Sequence, residues 1–365
     1  MKAAVLTEAG KPICICDDID LADPRHGEVR VRVKHCGICH SDYSLATGTF
    51  PAPVPVVLGH EAAGVIDAVG PGVTTHEVGD HVVLTPCPPC GHCYFCVRDE
   101  QHHCVNSASI NSHTFLDGTT SLSQGGQQVY RGLGIAGFSE YTVMPASGAV
   151  KIPQDAPLDV ACVIGCAVQT GVGAVLNTAQ VEEGATVLVL GLGGIGLSVV
   201  QGAVLAGASR IIVSDPVEER RIMARKFGAT DLLDPGQDEV TTACMDLTQV
   251  GVDYAFETAG SGPLAQTCFA AARPGGSIVA IGAAPLQDSI AVAPAALLTI
   301  SGKKLMGCLL GSCNSLREIP RLVSLWQQGR LDLESLISHR RPLEEINEGF
   351  EDMGQNRGIR TVIDL

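Results

Sequence analysis

Positive charge is scarce in this sequence, and long apolar runs are missing. The 365 residues contain 24 Lys and Arg against 39 Asp and Glu, which gives a formal net charge of −15. Such a surface repels phosphate backbones and anionic lipids, so we expect no nucleic-acid partner and no membrane partner. No run of about 18 apolar residues occurs, and no segment is therefore expected to span a bilayer. The opening residues 1–12 have the pattern of a strand ending in a turn rather than a secretory signal, which predicts a cytoplasmic protein.

Low-complexity segments, internal repeats and Ser/Gly linkers are absent too, and the length exceeds what one hydrophobic core usually organises. Up to about residue 150, short β-rich runs alternate with Gly and Pro clusters, which predicts an irregular β-rich domain. From about residue 155, apolar strands alternate with helical stretches, at 185–190, 210–214, 252–257 and 277–281. This alternation predicts an α/β fold with a doubly wound parallel sheet. From about residue 310, mixed helix and strand resume, which is compatible with a return to the first domain.

Fifteen cysteines form an odd number that cannot all pair internally, and a reducing compartment favours metal binding over disulfides. Four of them lie in CGHCYFCVRDEQHHC, namely Cys90, Cys93, Cys96 and Cys104. Four soft ligands on a turning backbone can enclose one zinc ion with no open position, which predicts a structural site. Free thiols or a pair of disulfides are the alternative. Other residues nearby could compete as ligands, namely Cys87, His92, His102 and His103.

A second metal site is predicted from three separate motifs: Cys39 in CGICHSD, His60 in LGHEAAG and Cys166 in VIGCAVQTG. Two thiolates and one imidazole leave a fourth position on zinc for water or substrate, as in catalytic sites. Taken singly, each residue has a simpler explanation, as a small buried filler or a hydrogen-bonded loop histidine. Asp42 and Glu61 are candidates to anchor the ring of a metal-bound histidine, although solvated loop carboxylates are commoner.

A Gly-rich turn follows the predicted strand at 185–190 and precedes a helix-compatible stretch at 197–205. It reads Gly191-Leu192-Gly193-Gly194-Ile195-Gly196, the G-x-G-x-x-G pattern that lets a pyrophosphate approach a helix N-terminus. Asp215 closes the next strand and is placed to accept hydrogen bonds from ribose hydroxyls, which favours NAD over NADP. Arg220 and Arg221 follow on the next helix, where a solvated face is the alternative to phosphate binding.

With these motifs in this order, and with GIRTVIDL at the end, the chain resembles the zinc-dependent alcohol dehydrogenases of the medium-chain dehydrogenase/reductase superfamily. The resemblance implies a GroES-like β-rich catalytic domain over residues 1–167, with both zinc sites. It further implies a Rossmann NAD-binding domain over 168–309 and a return to the catalytic domain over 310–365. The polar segment 106–131 resembles the long-form members, which are commonly dimers, so a homodimer is expected.

The resemblance also assigns roles residue by residue, with two zinc ions per chain and NAD as coenzyme. Cys39, His60 and Cys166 match the catalytic-zinc ligands, and Cys90, Cys93, Cys96 and Cys104 match the structural-zinc ligands. Glu61 matches a carboxylate that can approach the metal, and Ser41 matches the hydroxyl that takes the substrate proton. The remaining matches are to coenzyme-binding positions: His40, Thr170, Gly191, Gly193, Gly194, Ile195, Gly196, Asp215, Arg220 and Arg360.

Three positions depart from the family pattern. Ser44 stands where better-known members have a histidine that carries the proton outward, and a serine cannot act as a base near neutral pH. His40 stands where many members have an arginine that contacts the pyrophosphate. Gly132 and Leu133 match pocket-wall positions that often carry bulkier side chains, so we expect the glycine to enlarge the substrate pocket.

The resulting prediction is a zinc-dependent oxidoreductase that transfers a hydride between an alcohol and NAD, interconverting alcohols with aldehydes or ketones. Small-molecule alcohols and carbonyl compounds are the expected partners. One alternative is a formaldehyde dehydrogenase of the same superfamily that acts on S-hydroxymethyl adducts of a cellular thiol. Another is a zinc-stabilised binding or regulatory protein without turnover, although such a protein has no use for an open metal position.

Overall fold

The computed structural model describes residues 1–291 and 295–365. Contacts divide the chain into two compact units, of which the first combines Met1–Ala167 with Cys313–Leu365 and the second is Val168–Ser312. Within the described residues no single helix is long and apolar enough to cross a membrane. One bent pair of helical segments, 158–165 with 167–179, meets the length and composition test when taken together.

The N-terminal part of the first unit is rich in short strands. The strands are β1 (Ala3–Leu6), β2 (Cys14–Cys16), β3 (Ile19–Leu21), β4 (Glu28–Gly37), β5 (Val56–Val57), β6 (Glu61–Val69), β7 (His81–Leu84), β8 (Leu122–Gln124), β9 (Gln127–Arg131), β10 (Tyr141–Pro145) and β11 (Ala149–Lys151). Three helices accompany them, α1 (His40–Thr47), α2 (Ser109–Ser112) and α3 (Leu158–Ala161). The long strands alternate buried and partly exposed residues, as a half-buried antiparallel sheet requires.

The second unit is a parallel α/β sheet. Its strands are β12 (Thr186–Leu190), β13 (Arg210–Ser214), β14 (Asp231–Leu233), β15 (Val252–Glu257), β16 (Ala272–Ala280) and β17 (Lys304–Gly307). Its helices are α4 (Ala167–Gly173), which begins at the boundary, α5 (Gly194–Leu205), α6 (Glu218–Lys226), α7 (Val240–Thr248), α8 (Gly262–Ala271) and α9 (Ala295–Ser301). The strand order β14-β13-β12-β15-β16-β17 is that of the doubly wound dinucleotide-binding fold. The central strand β12 is apolar and buried from Val187 to Leu190, because helices cover both faces of a parallel sheet.

The C-terminal segment adds α10 (Ser315–Gln327), β18 (Ile337–Pro342), α11 (Ile346–Gly354) and β19 (Arg360–Asp364) to the first unit. β19 pairs with β4 antiparallel, with Val362 opposite Gly37, and so joins the sheet β11-β7-β6-β4-β19-β18. β10 pairs with the other part of β4. A second sheet has the order β2-β1-β5-β9-β8-β3. The pairing of β19 with β4 holds Arg360 beside the loop that carries Cys39.

Candidate metal and coenzyme sites

Cys39, His60 and Cys166 lie together in the first unit, although they come from three distant segments. Cys39 follows β4 and precedes α1, His60 immediately precedes β6, and Cys166 lies between a 3-10 turn and α4. One donor atom from each residue lies within 4.8 Å of the other two. Cys39 and His60 are each only 3% exposed. Three buried soft donors at this separation can hold one metal ion.

The contact between the two thiols shifts their pKa values in opposite directions. Contact with Cys166 lowers the pKa of Cys39 well below its usual value, and the nearby His60 ring acts in the same direction. The same contact raises the pKa of Cys166 well above its usual value. Zinc binds cysteine as the thiolate, so a donor set of two thiols and one imidazole, with the pKa of Cys39 lowered, fits zinc.

Asp42 fixes the loops that carry these donors. Its carboxylate is fully buried; one oxygen accepts a hydrogen bond from the Gly59 amide at 2.9 Å, and the other accepts from the Cys39 amide at 3.2 Å. The second oxygen also lies 3.0 Å from Nδ1 of His60, at the distance of an ion pair but without hydrogen-bond alignment. A carboxylate on Nδ1 leaves Nε2 as the metal-binding nitrogen.

Glu61 and Arg360 form a second buried group beside the donors. Oε1 of Glu61 accepts a hydrogen bond from the Ala167 amide at 3.1 Å, whereas Oε2 is buried without a hydrogen-bond partner. Arg360 Nε lies 3.5 Å from Oε2, and Arg360 Nη1 donates to the Ile38 carbonyl at 2.7 Å. Burial raises the pKa of Glu61 to about 8, against the opposing effect of Arg360. A Cβ atom on Gly37 would lie 2.5 Å from Oε2, so a larger residue there would displace the carboxylate.

The other residues assigned near the zinc lie on α1. His40 is exposed and its ring centroid is 5.5 Å from that of Tyr43, whereas Ser41 is half-buried. Ser44, the departure from the family's histidine, is only 5% exposed. Its burial and its hydroxyl chemistry offer no basic group at this position.

The four cysteines of the predicted structural site also cluster. Sγ atoms of Cys90, Cys93, Cys96 and Cys104 lie within 4.8 Å of one another. Cys93 and Cys104 are 3.9 Å apart at sulfur, far beyond the bond length of about 2.05 Å in a disulfide. Backbone amides of Cys90 and Asn106 donate to the Cys104 sulfur, at 3.2 and 3.5 Å. Amide donors stabilise thiolates, so the four sulfurs of this loop could hold one metal ion with no open position.

The Gly-rich turn connects β12 to α5 in the second unit, as predicted. Gly191 has a positive φ of 90°, and a Cβ atom on Gly196 would lie 1.9 Å from the Gly191 carbonyl oxygen. A Cβ atom on Gly193, in contrast, would meet nothing within 4 Å. Gly194 and Ile195 form the first turn of α5. Backbone atoms therefore fill the space beside Gly196, whereas the space beside Gly193 is open. Gly193 is the position where a phosphate would approach.

Asp215 follows β13 and is held by backbone amides. Its Oδ2 accepts from Leu192 at 2.7 Å and its Oδ1 accepts from Val217 at 2.8 Å. Arg221 donates to the Asp215 carbonyl at 2.6 Å and to Asp234 at 3.1 Å, so its charge is engaged within the protein. Arg220 is half-buried at the start of α6, and Thr170 is buried in α4.

The expectation for Gly132 is wrong. A Cβ atom there would lie 2.6 Å from the Val57 carbonyl oxygen and 2.8 Å from Leu58 Cα. The absence of a side chain therefore makes room for the neighbouring backbone and does not enlarge a pocket. Two residues that shape the sites have no sequence signal of their own: Gly37, described above, and Thr258, whose hydroxyl donates to the Gly191 carbonyl at 2.8 Å.

Comparison with known proteins identifies the family. Residues 25–154 match the alcohol dehydrogenase GroES-like domain, and residues 194–327 match the zinc-binding dehydrogenase domain. The chain is 36% identical to an alcohol dehydrogenase class-3 of Dictyostelium discoideum, over 100% of this chain and 97% of that protein. An alcohol dehydrogenase zinc-binding domain protein from Burkholderia ambifaria is 34% identical with a TM-score of 0.95, covering 100% of this chain and 98% of the other. Benzyl alcohol dehydrogenase from Acinetobacter calcoaceticus is 30% identical with a TM-score of 0.93, covering 100% and 99%.

These matches confirm the predicted fold class, a GroES-like domain with a Rossmann domain, and the prediction of an enzyme. The enzyme carries out zinc-dependent oxidoreduction of small-molecule alcohols and aldehydes, with zinc and NAD or NADP. The chain belongs to the zinc-dependent alcohol dehydrogenases of the medium-chain dehydrogenase/reductase superfamily.

Proposed function

We propose that the chain is an NAD-dependent alcohol dehydrogenase with two zinc ions, one catalytic and one structural. The observation that carries this proposal is the convergence of Cys39, His60 and Cys166 within 4.8 Å, from three segments of the first unit. Zinc bound there supplies a Lewis acid for the substrate oxygen, and NAD supplies the hydride acceptor. The four cysteines at 90–104 hold the second ion, which stabilises their loop.

The chain's own residues orient the donors and move the proton. Asp42 holds the Cys39 and His60 loops in register through the Gly59 and Cys39 amides. Ser41, at the start of α1, takes the proton of the alcohol. Because Ser44 cannot act as a base, we propose that this position of α1 does not carry the proton onward from Ser41.

The preference for NAD rests on Asp215. Two backbone amides fix its carboxylate beside the Gly-rich turn, where it would accept from ribose hydroxyls and repel a 2′-phosphate. Arg221 is paired with Asp234, so it is not available to neutralise that phosphate. Gly191, Gly193, Gly194, Ile195 and Gly196 would cradle the pyrophosphate, with Thr170 and Arg220 at the nicotinamide and ribose ends. The family resemblance also assigns coenzyme contacts to His40 and Arg360.

We further propose a cytoplasmic homodimer. Fifteen cysteines without disulfide partners suit a reducing compartment. At the edge of the parallel sheet, β17 pairs only with β16 among the described strands. The adjoining α9 exposes Leu297, Leu298 and Ile300, which would be covered by a second copy.

Replacement of the Cys39 thiol tests the catalytic site. The Cys39→Ala variant should retain one zinc per chain instead of two, lose at least about 10³-fold in kcat/KM for alcohols and keep its melting temperature. Zinc analysis, steady-state kinetics and thermal unfolding measure the three quantities. Cys14→Ala, at an exposed position, is the matched control and should behave as the natural chain. A Cys39→Ala enzyme with undiminished turnover would contradict the ligand assignment.

Substrate and coenzyme are tested with a panel of primary, secondary and aromatic alcohols, each assayed with NAD and with NADP. The aromatic alcohols are included because the relative from Acinetobacter calcoaceticus is a benzyl alcohol dehydrogenase. Formaldehyde is added with and without a low-molecular-weight thiol. Strict dependence on the thiol would replace the alcohol proposal by the thiol-adduct alternative.

A further inference from the structure

A cavity of about 240 Å³ opens in the first unit, next to the loop that carries the four clustered cysteines. Its wall includes Phe115, Leu116 and Pro145, which are apolar, and three charged side chains, Arg25, Arg131 and Asp117. None of the proposed catalytic or coenzyme-binding residues lines it. The cavity is large enough for a compact organic molecule.

Arg131 is the unusual member of this wall because it is buried without an acidic partner. The side chain is only 1% exposed, and no described carboxylate oxygen lies within 4 Å of its guanidinium. Nη2 donates to the Gly134 carbonyl at 2.7 Å, whereas Nε is buried without a hydrogen-bond partner. The guanidinium carbon lies 3.9 Å from the centroid of the Phe115 ring. Burial lowers the pKa of Arg131 to about 9, so the group still carries its charge at neutral pH.

The nearby carboxylates, those of Glu28 and Asp117, accept hydrogen bonds from Arg25. Its Nε and Nη2 donate to one oxygen of Glu28, at 3.0 and 2.8 Å, and its Nη1 donates to Asp117 at 2.7 Å. Glu28 therefore acts on Arg131 only at longer range. A buried cation with a free N–H donor is costly unless an anion or water completes its shell.

We propose that this cavity binds a small organic monocarboxylate, with its carboxylate on Arg131 and its apolar body against Phe115 and Leu116. The unpartnered N–H on Nε is a charged donor that suits a carboxylate oxygen. The apolar wall favours a ligand with a hydrocarbon part over a bare inorganic ion. Asp117 in the same wall disfavours a dianion, because like charges repel across a short distance.

The proposal is tested by isothermal titration calorimetry of the zinc-loaded full chain with propionate. One equivalent should bind per chain, and propionamide, which has the same shape without the charge, should not bind. Arg131→Met removes the charge but keeps an apolar side chain of similar length, and should weaken propionate binding by about tenfold or more. Asp117→Asn removes the repelling charge at an exposed position and should tighten binding several-fold.

Cys39→Ala separates this cavity from the proposed catalytic zinc. Propionate affinity should be unchanged in that variant. Loss of binding in Cys39→Ala with retention in Arg131→Met would place the carboxylate at the zinc and overturn the proposal. Preference for chloride or phosphate over propionate, or equal binding of propionamide, would overturn it as well. If Arg131→Met does not fold, Asp117→Asn decides alone, and unchanged or weaker propionate binding would count against the proposal.

Discussion

At the scale of single residues, Asp42 connects two segments of the proposed zinc site, the Cys39 loop and the Gly59–His60 loop. Its oxygens accept from two backbone amides and face Nδ1 of His60. Asp42→Asn removes the negative charge opposite the imidazole. Its side-chain NH2 group would also face one of the two backbone N–H groups that now donate to the carboxylate. We expect zinc affinity at the catalytic site to fall by about 10- to 100-fold. Competition with a chromogenic chelator measures this affinity.

The control for this prediction is Asp23→Asn, in which the altered carboxylate is 94% exposed. It should leave zinc affinity and activity unchanged. The four-cysteine site should retain its ion in both variants, since Asp42 does not contact it. Equal zinc release from Asp42→Asn and the natural chain would show that the carboxylate does not orient His60.

The sequence allowed the donor residues to be predicted, because Cys and His beside glycines in CGICHSD, GHEAAG and IGC are specific in combination. Asp42 and Glu61 could be proposed as anchors of the histidine ring only because they are close in sequence to Cys39 and His60. Gly37 could not be predicted, because its role depends on Glu61 lying across the sheet from it, at the β4–β6 pairing. Such contacts join residues that are distant in sequence and leave no local pattern.

At the scale of elements, two glycines of the Gly-rich turn between β12 and α5 have different surroundings. A Cβ atom on Gly196 collides with the Gly191 carbonyl, whereas one on Gly193 meets open space at a φ of −72°. Gly196→Ala should therefore destabilise the fold by about 1–3 kcal/mol. Gly193→Ala should keep the melting temperature but weaken NAD binding by about tenfold or more, because its methyl group obstructs the phosphate.

Chemical denaturation and coenzyme fluorescence titration measure these two effects. Gly329→Ala, in an exposed turn with a positive φ of 70°, is a control for general glycine strain. It should lose some stability without any change in coenzyme affinity. Unaltered NAD affinity in Gly193→Ala would mean that the pyrophosphate does not approach this turn.

Strand patterns predicted β13 and β15 with their observed bounds, because buried parallel strands are rich in apolar residues. The helical stretch expected from residue 160 is instead interrupted. Cys166 has φ −138° and ψ −74°, between the 3-10 turn ending at Gly165 and α4. A Cβ atom on Gly165 would lie 2.6 Å from the Leu84 carbonyl, so the chain passes close to β7 there. Tertiary packing, rather than helix propensity, sets this break and brings the Cys166 sulfur to the other donors.

At the scale of the whole molecule, alternation of strands and helices was sufficient to predict the doubly wound parallel sheet. The β-rich unit was predicted only as irregular, because its sheets pair strands that are far apart in sequence, such as β4 with β19. Antiparallel pairing between strands that are distant in sequence leaves no pattern within a short stretch of residues. The family resemblance, and not periodicity, supplied that part of the fold.

The exposed edge of the parallel sheet, formed by β17 and α9, predicts how two chains assemble. β17 is an edge strand with Leu305 41% exposed, and α9 carries Ile300 at 82% exposure, so this edge presents backbone groups and apolar side chains together. We expect sedimentation at about twice the chain mass of 37.9 kDa. Ile300→Asp combined with Leu305→Asp should shift the protein to monomers, because a charge buried in an apolar contact is costly. Ile222→Asp, at 59% exposure on α6, is the matched control and should leave the dimer intact. A dimer that survives the double substitution must use another surface, since both side chains would lie at the centre of a contact along this edge.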